Sequence, residues 1–190
     1  MLFTLLPSAW AEGYGEALLP IATVKAHLRV DGDDEDALIS ALRDASIDMV
    51  EQYTNVRLAP VAGMKARFAA FGDRMRVGVG PAAMLSATAI AYIDAAGGAQ
   101  TMTAGAWRVD SAGGLTPAAG AAWPVGGRDV EVTFDAGYPE GGCPPALIAA
   151  AMMFLAHLYS NREAVMTNGA SGELSLGFTA LCDRYRMPVL

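Results

Sequence analysis

The chain has 190 residues, of which 53% are hydrophobic and 17% charged, and its formal net charge is −7. That length is most simply one domain, and surface scaling buries about 70% of the unfolded surface, enough for a core without staples. The acidic balance excludes a surface built to grip nucleic acid, which needs a basic stripe. The two cysteines, Cys143 and Cys182, lie far apart in the sequence and make no disulfide framework. The high apolar content reflects either alanine richness or surface that is covered between subunits.

Charge is unevenly spread along the chain. Residues 1–22 carry −2, residues 23–55 carry eight acids against three bases, and everything after Asn55 balances to zero. The apolar start ends in an Ala9-x-Ala11 pattern, but it has no basic residue before it and is cut by Pro7. That pattern is not a signal peptide.

Residues 23–58 read as a helical block. Thr23 is the expected N-cap of a short helix through Leu28, and Asp31-Gly32 then breaks the chain. Asp33 is expected to open the main helix, with acids across a first turn where the helix dipole favours them. Leu38, Leu42, Ala45, Met49 and Tyr53 follow at helical spacing and predict its buried face.

Residues 62–138 read as a β-rich lobe. Short strands are expected at 65–68, 74–77, 89–93, 107–110 and 130–134, separated by glycine-rich turns. Residues 111–127 are too long and too rich in Gly, Ala and Pro for a tight hairpin, and predict a functional or mobile loop. Pro144 and Pro145 then open a helix over 144–164 with Leu147, Ala151, Phe154 and Leu158 on one face. Its other side is also poor in charge, which predicts a central, buried element. No run is long and apolar enough for a membrane span. Residues 165–175 read as a flexible connector and 176–186 as a last short helix. The fold class is therefore α+β: a helical core with an inserted small antiparallel β lobe.

Chemistry is harder to find. A calcium loop starting at Asp31 would need glycine sixth and glutamate twelfth, and the chain has Asp36 and Leu42 there. The segment around Ser171 lacks the final glycine of a nucleophile elbow, and no strand precedes it. His27 and His157 fall on separate helices without adjacent carboxylates, so packing is the simpler role. No ligand spacing for a metal and no phosphate-binding loop is present. Asp110, Glu131 and Asp135 read as acids on an exposed sheet face. No catalytic residue, metal or cofactor is expected.

The wording of the blocks is more telling than their chemistry. Val24-Lys25-Ala26-His27-Leu28-Arg29-Val30-Asp31, followed by Asp34-Glu35-Asp36-Ala37-Leu38, resembles the opening of phage head–tail connector (adaptor) proteins. The order continues with Tyr53-Thr54, Arg57-Leu58, Trp123-Pro124, Ala136-Gly137-Tyr138, and a proline-opened helix closing on Tyr159-Ser160-Asn161-Arg162-Glu163. Leu181, Tyr185 and Arg186 suit the family's tail. The likeness covers about residues 22–187, and such proteins occur in tailed phages, prophages and gene transfer agents.

The resemblance implies a structural subunit made in the bacterial cytoplasm and placed in the virion at the head–tail junction. It implies a ring of commonly twelve copies under the portal, joined to the next connector or stopper, with DNA only in transit and no membrane. Tyr53, Tyr138, Tyr159 and Arg162 would be structural motif residues. Three placements follow as expectations. Residues 174–190, with Leu174, Phe178, Leu181, Tyr185 and Arg186, form an assembly arm for portal or neighbour, or else a helix packed in its own domain. Trp123 and Pro124 contact an adjacent subunit or the capsid, or else pack under their own sheet. Asp33, Asp34 and Asp36 line the lumen or form a solvated outer face. A small hydrolase using Ser171, a nucleic-acid-binding module and an unrelated oligomeric scaffold are the other classes left open.

Overall fold

The computed structural model describes residues 3–161 and 176–187. Leu174, Arg162, Ser171 and the expected connector at 165–175 lie outside them.

Five antiparallel strands form the larger sheet, in the order β1-β2-β8-β4-β5. They are β1 (Phe3–Leu5), β2 (Val61–Ala70), β4 (Ser86–Ile93), β5 (Ala99–Thr101) and β8 (Arg128–Ala136). A smaller antiparallel sheet has the order β3-β7-β6, from β3 (Met75–Arg76), β6 (Trp107–Val109) and β7 (Gly114–Pro117). Alternation in β2 and β8 sends Met64, Ala66, Phe68, Val130, Val132 and Phe134 inward, all at most 1% exposed. These residues, Met75 and Leu115 of the small sheet, and the buried side chains of the helices belong to one continuous core.

The helices are α1 (Tyr14–Leu18), α2 (Ile21–Leu28), α3 (Asp36–Thr54), α4 (Pro145–Ser160) and α5 (Leu176–Cys182). The α+β class with its inserted antiparallel lobe is therefore the observed one, with several boundaries moved. α2 starts behind Pro20, not Thr23, because proline's fixed φ and missing N–H suit a helix start. α3 starts at Asp36, after a turn that takes up Asp33 and Asp34. Asn55 stops α3 in the left-handed conformation at φ 55°, which asparagine tolerates well.

The buried face of α3 differs from the expected stripe. Ile39, Arg43, Ser46, Ile47, Val50, Glu51 and Thr54 are buried, whereas Leu38 is 38% exposed and Ala45 is exposed. Four polar residues thus sit on the inner face. Two satisfy themselves: the Ser46 hydroxyl donates to the Leu42 carbonyl at 2.7 Å and the Thr54 hydroxyl to that of Val50 at 2.6 Å. In α4 the buried residues are Leu147, Ala150, Ala151, Met152 and Leu155, while Met153 is 41% exposed, so one side of this helix reaches the surface.

Residues 111–127 do not form one long loop. β6 and β7 make a tight hairpin closed by Asp110, whose carboxylate accepts the Ala112 and Gly114 amides at 2.9 and 3.0 Å. β7 escapes a propensity reading because Gly114 and Pro117 flank only two strand-forming residues.

The Ala136-Gly137-Tyr138 motif has a steric cause. Gly137 has φ 111°, and a Cβ there would lie 2.0 Å from the Ala59 carbonyl oxygen. Only glycine lets β8 pass so close to the segment leaving α3. The Tyr138 amide then donates to the Arg57 carbonyl at 3.2 Å, which sets the chain's approach to α4.

Candidate assembly interface

Residues 3–18, to which the sequence assigns no role, clasp the fold. β1 extends the large sheet by pairing with β2, and the Phe3 ring lies 5.7 Å from that of Phe68. Beyond it, Trp10 stacks on Tyr14 at 4.8 Å, and both rings converge on Glu51 of α3. The Glu51 side chain is fully buried and accepts four hydrogen bonds. The donors are the Tyr14 hydroxyl at 2.5 Å, Arg57 Nη1 at 2.7 Å, the Leu58 amide at 2.8 Å and Trp10 Nε1 at 3.3 Å. The Tyr14 hydroxyl in turn accepts the Ala59 amide at 3.0 Å. Burial first, and the neighbouring Glu51 carboxylate second, push the Tyr14 phenol far above its ordinary value, so it stays a neutral donor.

A second clasp joins α1 to α3. Arg43, itself buried, pairs with Glu16, and its Nε donates to Asp44 at 2.9 Å. Gly15 lies under this pair, where a Cβ would fall 2.0 Å from Asp44 Oδ1. Sequence reasoning missed Trp10, Tyr14, Arg43 and Glu51 because charge on a helix reads as a solvated face. The available signal was Trp-x-x-x-Tyr ahead of a helix that carries an acid in its last turn.

The residues expected to make external contacts divide into inward and outward ones. Phe178 is 2% exposed and packs edge-on against Tyr53 at 5.5 Å and against Phe154 at 5.7 Å. α5 thus lies within its own domain, on α3 and α4. Leu181 and Tyr185 are half-buried, while Arg186 is exposed and sits 5.1 Å above the Tyr53 ring. The Tyr53 hydroxyl donates to Asp183 at 2.6 Å, which ties the end of α3 to the turn after α5. Tyr159 donates to Glu35, linking the end of α4 to the start of α3, and Tyr138 is half-buried.

Trp123 stacks on Phe71 at 5.0 Å beside Pro124, and its Nε1 is buried without a hydrogen-bond acceptor. Two residues on, Val125 is 96% exposed. Lys25 gathers two of the acids, donating to Asp33 at 2.8 Å and to Asp36 at 2.7 Å, while Asp34 is exposed. The Lys25 ammonium holds the Asp33 carboxyl below its ordinary range.

Among the described residues, no group of His, Cys, Asp and Glu could hold a metal ion, and no helix is long and apolar enough to cross a membrane. Burial pushes the Cys143 thiol up to about 12 and that of Cys182 up to about 11, so both are protonated and poor nucleophiles at neutral pH. An apolar groove of about 440 Å³, lined by Leu18, Leu58, Pro60, Pro139, Cys143 and Ile148, opens where α1 meets the Gly137 crossing.

This is a scaffold whose polar groups are spent on holding its own ends, and comparison with known proteins agrees with that class. Residues 20–93 match the model of the phage gp6-like head–tail connector protein family. The whole chain aligns with a chain in the neck of an empty gene transfer agent particle computed with C6 symmetry. There the identity is 28% and the TM-score 0.69, with 100% of this chain and 97% of that one covered. A chain from the virion of a native gene transfer agent particle aligns over the same shares at 28% identity and TM-score 0.66. A neck of a native particle computed with C12 symmetry gives 27% identity and TM-score 0.66 over 98% of this chain and 97% of that one. Curated protein sequences give no match. The chain is thus similar to the head–tail connector proteins of phages and gene transfer agents, over residues 20–93 in the family model and along its length in the neck chains, and its general role is that of a connector protein.

Proposed function

We propose that this chain is the adaptor subunit of a particle neck, forming a ring of twelve copies beneath the portal. The ring joins the DNA-filled head to the next connector, and DNA crosses its lumen. The observation that carries the reading is the alignment of the chain, nearly end to end, with chains of gene transfer agent necks, one of them computed with C12 symmetry. The exposed apolar positions support it: Leu38, Met84, Val125 and Met153 are the kind of surface that a neighbouring subunit covers.

In this reading Arg186, Leu181 and Tyr185 face the portal or a neighbour. Trp123, Pro124 and Val125 form a contact knob held rigid by Phe71. Electron microscopy of purified particles, with and without the gene, tests the proposal. Heads that assemble and package but lack a neck ring are the expected result; complete necks without this protein would refute it.

A further inference from the structure

The charges of this protein are sorted by position along α3. At its start stand Asp31, Asp33, Asp34, Glu35 and Asp36, with only Lys25 and Arg29 as basic neighbours in sequence. Asp33 is 91% exposed at its side chain and Asp34 is exposed as well.

The other end of α3 gathers arginines. The Gly80 amide donates to the Asn55 carbonyl at 2.8 Å and the Arg57 amide to that of Gly80 at 3.0 Å, which holds the segment after β3 beyond the last turn, and Arg76, Gly113 of the small-sheet hairpin and Met187 line one depression there. On that sheet Arg76 pairs with Gly114 and Arg108 with Thr116, so both arginines stand on one face, two strands apart. The Arg74 side chain crosses the same face above Gly114 and donates to Asp110 at 2.7 Å. The C-terminal segment arrives at the same end: the Met187 amide donates to the Thr54 carbonyl at 2.7 Å, and Arg184 and Arg186 are exposed beside it. Apart from the Arg57–Glu51 pair, five arginines here outnumber Asp73, Asp110 and Asp183.

A helix of 19 residues separates the two ends by about 27 Å. That is more than two Debye lengths at physiological salt, so the charges cannot neutralise each other within one copy. They match across copies. We propose that the protein packs head to tail with a second copy of itself, the arginine-bearing end of one protomer against the aspartate-bearing end of the next. Such a contact is heterologous, the kind that closes into a ring when its rotation permits. The proposal rests on the ring reading above and adds which surfaces meet.

Charge swaps test it in cells that make the particles but lack the native gene. Asp33→Arg with Asp34→Arg gives a protomer with two positive ends, and Arg76→Glu with Arg108→Glu gives one with two negative ends. Each alone should lower the yield of complete particles by about a hundredfold, since like charges then face each other. Co-expressing the two should restore it to within about threefold, because alternating copies present opposite charges at every contact, and so should all four changes in one chain. Circular dichroism and melting of the purified variants control for folding. Should a double variant not fold, the fully surface pair Asp34→Arg and Arg108→Glu is carried through the same scheme.

Undiminished yield from either variant alone overturns the proposal. So does a loss that neither co-expression nor the four-change chain repairs, which assigns the patch to portal or DNA. Complete particles that fail to deliver DNA when the aspartates are reversed also overturn it, and place those acids at the lumen. If the unaltered gene itself does not restore particles, the connector reading fails along with the contact.

Discussion

Glu51 and Glu131 form similar pairs in different surroundings. Glu51 binds Arg57 between the helices and the N-terminal clasp, with its side chain fully buried. Glu131 binds Lys65 at 2.8 Å and Arg67 at 2.9 Å on the open face of the large sheet, where its side chain is 23% exposed and the two bases about half exposed. Water can replace the partners of Glu131 but not those of Glu51. The first pair therefore governs whether the clasp closes, and the second decorates a surface.

Glu51→Ala breaks that contrast most severely. It strands the Arg57 guanidinium, the Tyr14 hydroxyl and the Leu58 amide, and should cost about 3–5 kcal/mol in urea unfolding. Residues 3–18 should also become open to proteases in the native state, and an unchanged digest would show that the clasp does not depend on this carboxylate. Tyr14→Phe is a finer cut. It leaves the Glu51–Arg57 pair and removes one donor and the acceptor of the Ala59 amide, so about 1–2 kcal/mol should be lost. At the surface, Glu131→Ala should change stability by less than about 1 kcal/mol and by still less in high salt. A larger, salt-insensitive loss would mean that the sheet face is covered.

The smallest effect is in acid. Arg74, and then the Gly114 amide, hold the Asp110 carboxyl down at about 2. A depressed carboxyl stabilises the fold above its unfolded value, about 3.9, and that contribution disappears as pH falls towards 2. The Gly114 amide signal in NMR should thus move with a midpoint near the lower value. A midpoint near 4 would mean that Asp110 is not bound in the hairpin.

Element type was legible where periodicity ran long, in α3, α4, β2 and β8. It was not legible in β1, β5 and β7, which are three or four residues each and owe their extended form to a neighbour strand. The face of α3 was misread for a physical reason. Polarity along a helix predicts exposure only if the partners of the polar groups are water, and those of Glu51 come from residues 10–14 and 57–58, while Arg43 is held by Glu16 as well as by its neighbour Asp44. Among the expected contact residues, sequence spacing could not tell inward Phe178 from outward Arg186, because both meet Tyr53 of α3, Phe178 from within α5 and Arg186 from the segment after it. The glycine of Ala-Gly-Tyr was legible as a motif, while its cause, the Ala59 carbonyl, was not.

Phe3 and Met187 lie against neighbouring residues of one short segment: a Cβ on Gly78 would sit 2.6 Å from the Phe3 ring, and one on Gly80 would sit 2.7 Å from Met187. The two ends of the described chain thus share one seam, so the fold is nearly a closed circuit. Its elements could be read from another starting point, with the seam bridged and the chain opened at the exposed Gly97 turn, without changing which surfaces meet. A molecule so arranged keeps Phe3 and Met187 under one lock, and a partner that seats on that seam holds both.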